Sequence, residues 1–178
     1  DTPHAGRARA LQVVIERSSG RAQIVLVTND GEPVGLEPVF AALGDALGDA
    51  LHSAWWNGNP ERTNTLLGSA WQRFSGPDSV IETFAGARVH YPPGAFGQSH
   101  LSLAGRLGLR VAELVPTDSR VLELYAGTGA LGLPLAARSA SLALNELAEH
   151  SIWGLRLGVA GVAPRGRAPV RRRRASGL

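Results

Sequence analysis

The stretch Val121-Leu-Glu-Leu-Tyr-Ala-Gly-Thr-Gly-Ala-Leu-Gly-Leu-Pro-Leu-Ala136 runs an apolar strand into a glycine turn and then into a segment with helical spacing. Glycine at positions 127 and 129 can adopt positive φ and lets backbone N–H groups approach a ligand closely. A helix start beyond the turn adds unpaired amides at the positive end of its dipole. Such a junction is a cradle for a nucleotide cofactor, and two readings of it compete. Gly127, Gly129 and Gly132 spell G-x-G-x-x-G, and Glu146 follows Gly127 by nineteen residues, the spacing of a dinucleotide fingerprint with its ribose-binding acid. Against that reading stands Glu123, a carboxyl group inside the strand, four residues before Gly127.

The order acid-x-x-x-Gly-x-Gly resembles motif I of class I S-adenosylmethionine methyltransferases. Their cofactor is a nucleoside with an amino-acid tail and no pyrophosphate, so the glycines clear space while acids hold polar groups. Upstream, Pro92-Pro-Gly-Ala-Phe-Gly-Gln-Ser-His100 leads into a helical stretch. It resembles the F-x-Q-x-N segment that precedes motif I in RNA (uracil-5-)-methyltransferases of the tRNA and 23S rRNA type. Val121 to Gly129 with Leu133-Pro-Leu-Ala136 is similar to that family's V-L-D-L-Y-x-G-x-G…L-P-L-A. Asn57-Gly-Asn59, Leu66-Leu-Gly68 and Gly76-Pro-Asp78 resemble its central-domain landmarks. The resemblance covers about residues 10 to 155.

It implies an α/β chain in which residues 1–92 form a small α+β central domain and residues 93–162 form the N-terminal part of a Rossmann-like domain that binds S-adenosyl-L-methionine. Residues 163–178 are expected to be a disordered, arginine-rich tail. In the site, the resemblance places Gln98 against the methionine part of the cofactor, Glu123 in the strand beneath it, Tyr125 in the pocket wall, Gly127 and Gly129 in the turn, and Glu146 on the ribose. Ala130 stands where the family often has Asn or Thr, so one side-chain hydrogen bond to the cofactor is missing. His100 stands where the family has Asn.

The implied substrate is C5 of a uridine in tRNA or rRNA. Because C5 is a weak nucleophile, enzymes of this family attack C6 with a cysteine thiolate, and a base later removes the C5 proton. This sequence contains no cysteine. No catalytic residue is therefore assigned, and the chain is expected to be an inactive fragment carrying the cofactor end of the reaction. Two other readings remain: a non-catalytic RNA-binding or scaffold remnant, and a NAD-binding oxidoreductase domain.

The absence of cysteine also excludes disulfides, thiolate zinc sites and iron–sulfur clusters. His4, His52, His90, His100 and His150 show no paired spacing, so no metal site is expected. No apolar run approaches the roughly 18 to 20 residues of a membrane span, and no signal peptide is visible. These features read as a cytoplasmic internal fragment with no membrane contact, and the resemblance implies RNA as its partner. All eighteen basic residues are arginine. Arg165, Arg167 and Arg171 to Arg174 make up a third of them, so the rest of the chain carries more acids than bases. Such a run binds phosphates non-specifically or stays solvated.

Along the chain, Leu11 to Arg17 and Arg21 to Thr28 read as strands joined by Ser18-Ser-Gly20. Leu36 to Leu51 has helical spacing with Asp45 and Asp49 outward. His52 to Trp56, Thr65 to Leu67, Val80 to Phe84 and Arg88 to Tyr91 read as short strands. Pro92-Pro-Gly94 then reads as a hinge. Beyond it the pattern gives helix over Gln98 to Leu114, strand over Arg120 to Leu124, helix over Gly129 to Arg138, strand over Ser139 to Asn145, and helix over Leu147 to Val162. Trp55, Trp56 and Trp71 are candidates for stacking on bases. If 52–56 is a strand, Trp55 and Trp56 face opposite sides, and at least one belongs to the core.

Overall fold

The computed structural model describes residues 6–162 and the backbone of 170–172. The chain divides into two compact units, Asp1–Val80 and Ile81–Leu178.

In the first unit a strand β1 (Ala8–Ile15) turns back as β2 (Ala22–Thr28), and helix α1 (Glu37–Leu47) leads to β3 (Leu51–Gly58) and β4 (Ala70–Ser75). The sheet order is β1-β2-β3-β4. β1 and β2 pair antiparallel, β2 and β3 parallel, and β3 and β4 antiparallel. The parallel pair needs a crossover, and α1 supplies it. Pro38 in its first turn suits a position whose N–H has no partner in any case. Its apolar side, with Phe40 buried, closes over Ile24, Leu51, Ala54 and Trp56, while Asp45 and Asp49 stay exposed. Phe40 stacks on Phe74 of β4 with ring centroids 3.9 Å apart.

Two expectations change here. Thr65 to Leu67 is irregular rather than a strand, because its carbonyls are taken by side chains, as described below. The strand comes later, as β4, whose Ala70-Trp-Gln-Arg-Phe-Ser alternates too loosely to stand out. Trp55 and Trp56 are both buried, so neither offers a platform for bases.

The second unit opens with the hairpin of β5 (Val80–Phe84) and β6 (Ala87–Tyr91), followed by α2 (Leu101–Leu114), β7 (Arg120–Leu124), β8 (Ser141–Glu146), α3 (Glu149–Ala160) and β9 (Val170–Arg172). β7, β8 and β9 form a parallel sheet in that order. This is a mixed α/β, Rossmann-like architecture.

β6 lies directly against α3. A Cβ on Gly154 would come within 2.3 Å of the His90 carbonyl oxygen, and one on Gly158 within 2.5 Å of Leu133 Cδ1 and 3.4 Å of the Arg88 oxygen. That close approach ties the hairpin to the second unit. The compact units therefore part at Val80, ahead of the division expected at residue 92.

The connection between β7 and β8 departs from the expected helix over Gly129 to Arg138. Only a 3₁₀ turn forms, at Leu133–Leu135. One α-type bond, from Leu133 N–H to the Gly129 oxygen at 2.9 Å, gives way to tighter bonds from Leu135 to Gly132 and from Ala136 to Leu133. Pro134 has no N–H to continue the α ladder, and Gly129 and Gly132 weaken it further. Helix α2 starts at Leu101 rather than Gln98, with His100 as its N-cap: Leu103 N–H donates to His100 Nδ1 at 3.1 Å. Within the segment expected to be an arginine-rich tail, Val170–Arg172 pairs with β8. The remainder of 163–178 lies outside the described residues.

Candidate functional site

The site grows from the carboxyl ends of β7 and β8. After Leu124 the chain turns sharply, with φ of +58° at Tyr125, +57° at Gly127 and +88° at Gly129. Left-handed backbone is unfavourable for a residue with a Cβ, so Tyr125 is held there by its surroundings. Ala126 N–H donates to the Asn145 oxygen at 2.9 Å, which fastens the end of β7 to the end of β8. Gly129 N–H donates to the Ala126 oxygen at 2.8 Å and closes the turn.

The three glycines divide two duties between them. A Cβ on Gly127 would meet nothing within 4 Å, so this side of the turn is open. On Gly129 it would strike Leu155 Cδ1 at 2.6 Å and Leu133 Cγ at 2.8 Å, and on Gly132 it would strike Glu123 Oε2 at 2.1 Å and Leu144 Cδ2 at 2.5 Å. The first glycine clears space, and the other two let the turn settle onto α3 and the sheet.

Glu146, the last residue of β8, is bound on both oxygens. Gly127 N–H donates to its Oε2 at 2.7 Å, and Leu147 and Ala148 N–H donate to its Oε1 at 2.6 and 2.8 Å. Burial alone would raise its pKa, but the amides of Ala148, Leu147 and Gly127 outweigh burial and lower it. The group is an oriented, ionised carboxylate at the strand end. Glu123 is the opposite case: burial pushes its pKa up to about 7, against the pull of the Gly132 amide. Its Oε2 is buried and accepts no hydrogen bond from the described residues.

Five of the six residues singled out in the sequence thus fall on β7, the turn and the end of β8. Gly127 and Glu146 are in direct contact, and Glu123 lies beneath Gly132. Tyr125 is 88% exposed beside them, which removes ordinary core packing as its role. Gln98 is exposed in the segment before α2, and no hydrogen bond among those described joins it to the other five. Sequence reading passed over two contributors: Asn145, whose carbonyl anchors the turn, and His100, whose capping role was signalled by its place just before the apolar period of α2.

A β-strand, glycine turn and acid-tipped second strand in a parallel sheet define the class as a Rossmann-like methyltransferase fold. No family model matches the sequence. Among curated proteins, an uncharacterized RNA methyltransferase of Protochlamydia amoebophila is 34% identical over 153 residues, 83% of this chain and 40% of that protein. Another from Nostoc sp. is 31% identical over 140 residues, 75% of this chain and 29% of that protein. The chain belongs to this RNA methyltransferase family and spans well under half the length of these relatives. Among solved structures, Pyrococcus abyssi tRNA (uracil-54, C5)-methyltransferase in complex with S-adenosyl-L-homocysteine matches with a TM-score of 0.70 at 22% identity, over 87% of this chain and 37% of that one. At that identity the likeness speaks for the fold.

Proposed function

We propose that the chain is the cofactor-holding part of an S-adenosylmethionine-dependent RNA methyltransferase directed at uridine C5 in tRNA or rRNA. The observation that carries the reading is the Glu146 carboxylate, fixed at the end of β8 by three amides, one of them from the open glycine turn. A carboxylate offers about four acceptor positions, so Glu146 keeps room for a hydroxyl, and a vicinal diol binds it through both oxygens once the Gly127 amide yields. S-adenosylmethionine supplies an electrophilic methyl group when bound. Glu146 would hold its ribose, Gly127 and Gly129 would admit it, exposed Tyr125 would flank it, and Gln98 and Glu123 would serve its polar tail.

The 3₁₀ turn at Leu133–Leu135 favours this ligand over NAD. A pyrophosphate is bound by the amides and dipole of a regular helix start, and none follows these glycines. With no cysteine in the chain, the thiolate step is assigned to no residue here, and the chain alone is expected to transfer no methyl group.

The test is calorimetry at high protein concentration with S-adenosylmethionine, its demethylated product and NAD, together with methyl transfer from labelled S-adenosylmethionine to bulk tRNA and rRNA. Binding of the first two and not the third is expected, without turnover. NAD binding more tightly than S-adenosylmethionine, and lost in Glu146→Ala, would return the glycines to the dinucleotide reading.

A further inference from the structure

The segment after β3 has no regular structure, yet it is held with unusual care. Arg9 of β1 donates from Nη1 to the carbonyl oxygens of Asn59 and Glu61, at 3.0 and 2.9 Å, and from Nη2 to those of Thr63 and Thr65, at 2.7 and 2.8 Å. Asn59 Nδ2 donates to Thr65 and Leu66 oxygens, and Asn57 Nδ2 to those of Gly68 and Ala70. Gly68 N–H returns a bond to Asn57 Oδ1 at 2.8 Å. Both asparagines are buried, while residues 60–66 are all exposed. The sheet register shifts between Ala8 and Ala10, so Arg9 is the extra residue of a β-bulge, a device that re-aims a side chain.

The charges do not cancel. Arg9 meets four neutral carbonyls, and among the described residues no carboxylate pairs with it. A guanidinium charge is therefore fixed beneath a loop whose carbonyls are drawn toward it. The N–H groups of Arg62, Asn64 and Leu66 have no acceptor among the described residues, and the Arg62 side chain adds a second cation on the exposed surface. Glu61 is the single acid in this loop.

The amides of Arg62, Asn64 and Leu66 share trans peptide units with the Glu61, Thr63 and Thr65 carbonyls that turn to Arg9, so they face away from it. Outward amide dipoles backed by a fixed positive charge favour an anion, and an ordered loop on a rigid scaffold is where recognition is commonly placed. We infer that residues 60–66 receive a backbone phosphate of the RNA substrate, with Arg62 and the loop amides making the contact and Arg9 acting as a positioning residue. This rests on the RNA methyltransferase reading above.

The test is photo-crosslinking of single-stranded RNA carrying 4-thiouridine to the whole chain, with crosslinked peptides mapped by mass spectrometry. Yield at 60–66 is normalised to yield in the arginine-rich segment 165–174, which serves as an internal standard. The wild type is expected to crosslink at 60–66. Arg62→Ala and Arg9→Lys, the latter keeping the charge but unable to gather four carbonyls, are each expected to lower that yield at least fivefold while thermal unfolding stays cooperative. Wild-type yield persisting in both variants overturns the inference. So does crosslinking confined to other segments, which leaves the methyltransferase reading standing. No crosslinking anywhere also overturns it, and the broader reading falls with it only if S-adenosylmethionine fails to bind in calorimetry. Inorganic phosphate at matched ionic strength should leave the loop crosslinks intact, and their selective loss would mark a free-phosphate site instead.

Discussion

Gly127 N–H donates to Glu146 Oε2 across 2.7 Å, joining the turn that follows β7 to the tip of β8. One carboxylate thus fixes the open glycine turn and, on the function proposed above, would take the hydroxyls of the ligand. Glu146→Ala removes both roles. Losing a charged acceptor in a hydrogen-bonded site costs about 1.5 to 3 kcal/mol, so S-adenosylmethionine affinity should fall roughly ten- to a hundredfold. Glu146→Gln, which keeps two amide-compatible lone pairs but not the charge, should fall between. Titration calorimetry on the three proteins gives the ranking, and equal affinities would remove Glu146 from the site.

Glu123 predicts an unusual pH response. A carboxyl group whose folded pKa is raised to about 7 binds more protons in the folded than in the unfolded state between its ordinary value and pH 7. The stability it contributes is present at low pH and is lost as pH rises through that window. Glu146, with its lowered pKa, works in the other sense, and its contribution is lost only as pH falls into the acid range. Glu123→Gln should therefore flatten the decline in melting temperature between about pH 5 and pH 7. An unchanged slope would place the Glu123 carboxyl in water.

The glycines should separate by mechanism. Gly154→Ala sets a methyl group 2.3 Å from the His90 carbonyl oxygen, and backbone on both sides cannot swing away, so overpacking of about 1 to 3 kcal/mol is expected. Gly127→Ala meets open space but must hold φ at +57°, a strain of about 1 to 2 kcal/mol. Melting curves should show both losses, while Gly127→Val should also weaken ligand binding.

His100→Ala deletes the acceptor for Leu103 N–H. Loss of an N-cap typically costs about 1 kcal/mol, and Asn or Asp at this position should restore it. Hydrogen exchange at the first turn of α2 provides the readout.

Among the described residues β7 has one partner strand, and its Leu122 and Leu124 are 65% and 59% exposed. An apolar edge of this kind recruits other chains. The purified chain should associate with rising concentration in sedimentation velocity, and Leu122→Glu or Leu124→Lys should shift it toward monomer.

What the sequence disclosed follows from where its signals are local. β7 was legible to the residue because a short apolar run, Val121, Leu122 and Leu124, ends at a glycine turn, and Glu146 because the fingerprint spacing counts along the chain. The helix after Gly129 was misread because Leu133, Leu135 and Ala136 supply helical spacing while Pro134 removes the bond that spacing would need. The boundary at Pro92-Pro-Gly94 looked like a hinge by composition, whereas the contact of His90 and Arg88 with glycines far along α3 is invisible to any window. Arg9 read as one more arginine, since its acceptors lie 50 to 56 residues downstream.

That separation makes the loop after β3 a late arrival in folding. Its carbonyls cannot be gathered until β1 has docked on β2, and among the described residues β1 is the outermost strand, held by one neighbour. Fraying of β1 would release the loop while β2, β3 and β4 remain paired. The order of a distant surface segment is thereby slaved to the least protected strand of the sheet, and amide exchange in residues 60–66 should keep time with exchange in Ala8–Ile15 rather than with that of β3, to which the loop is covalently attached.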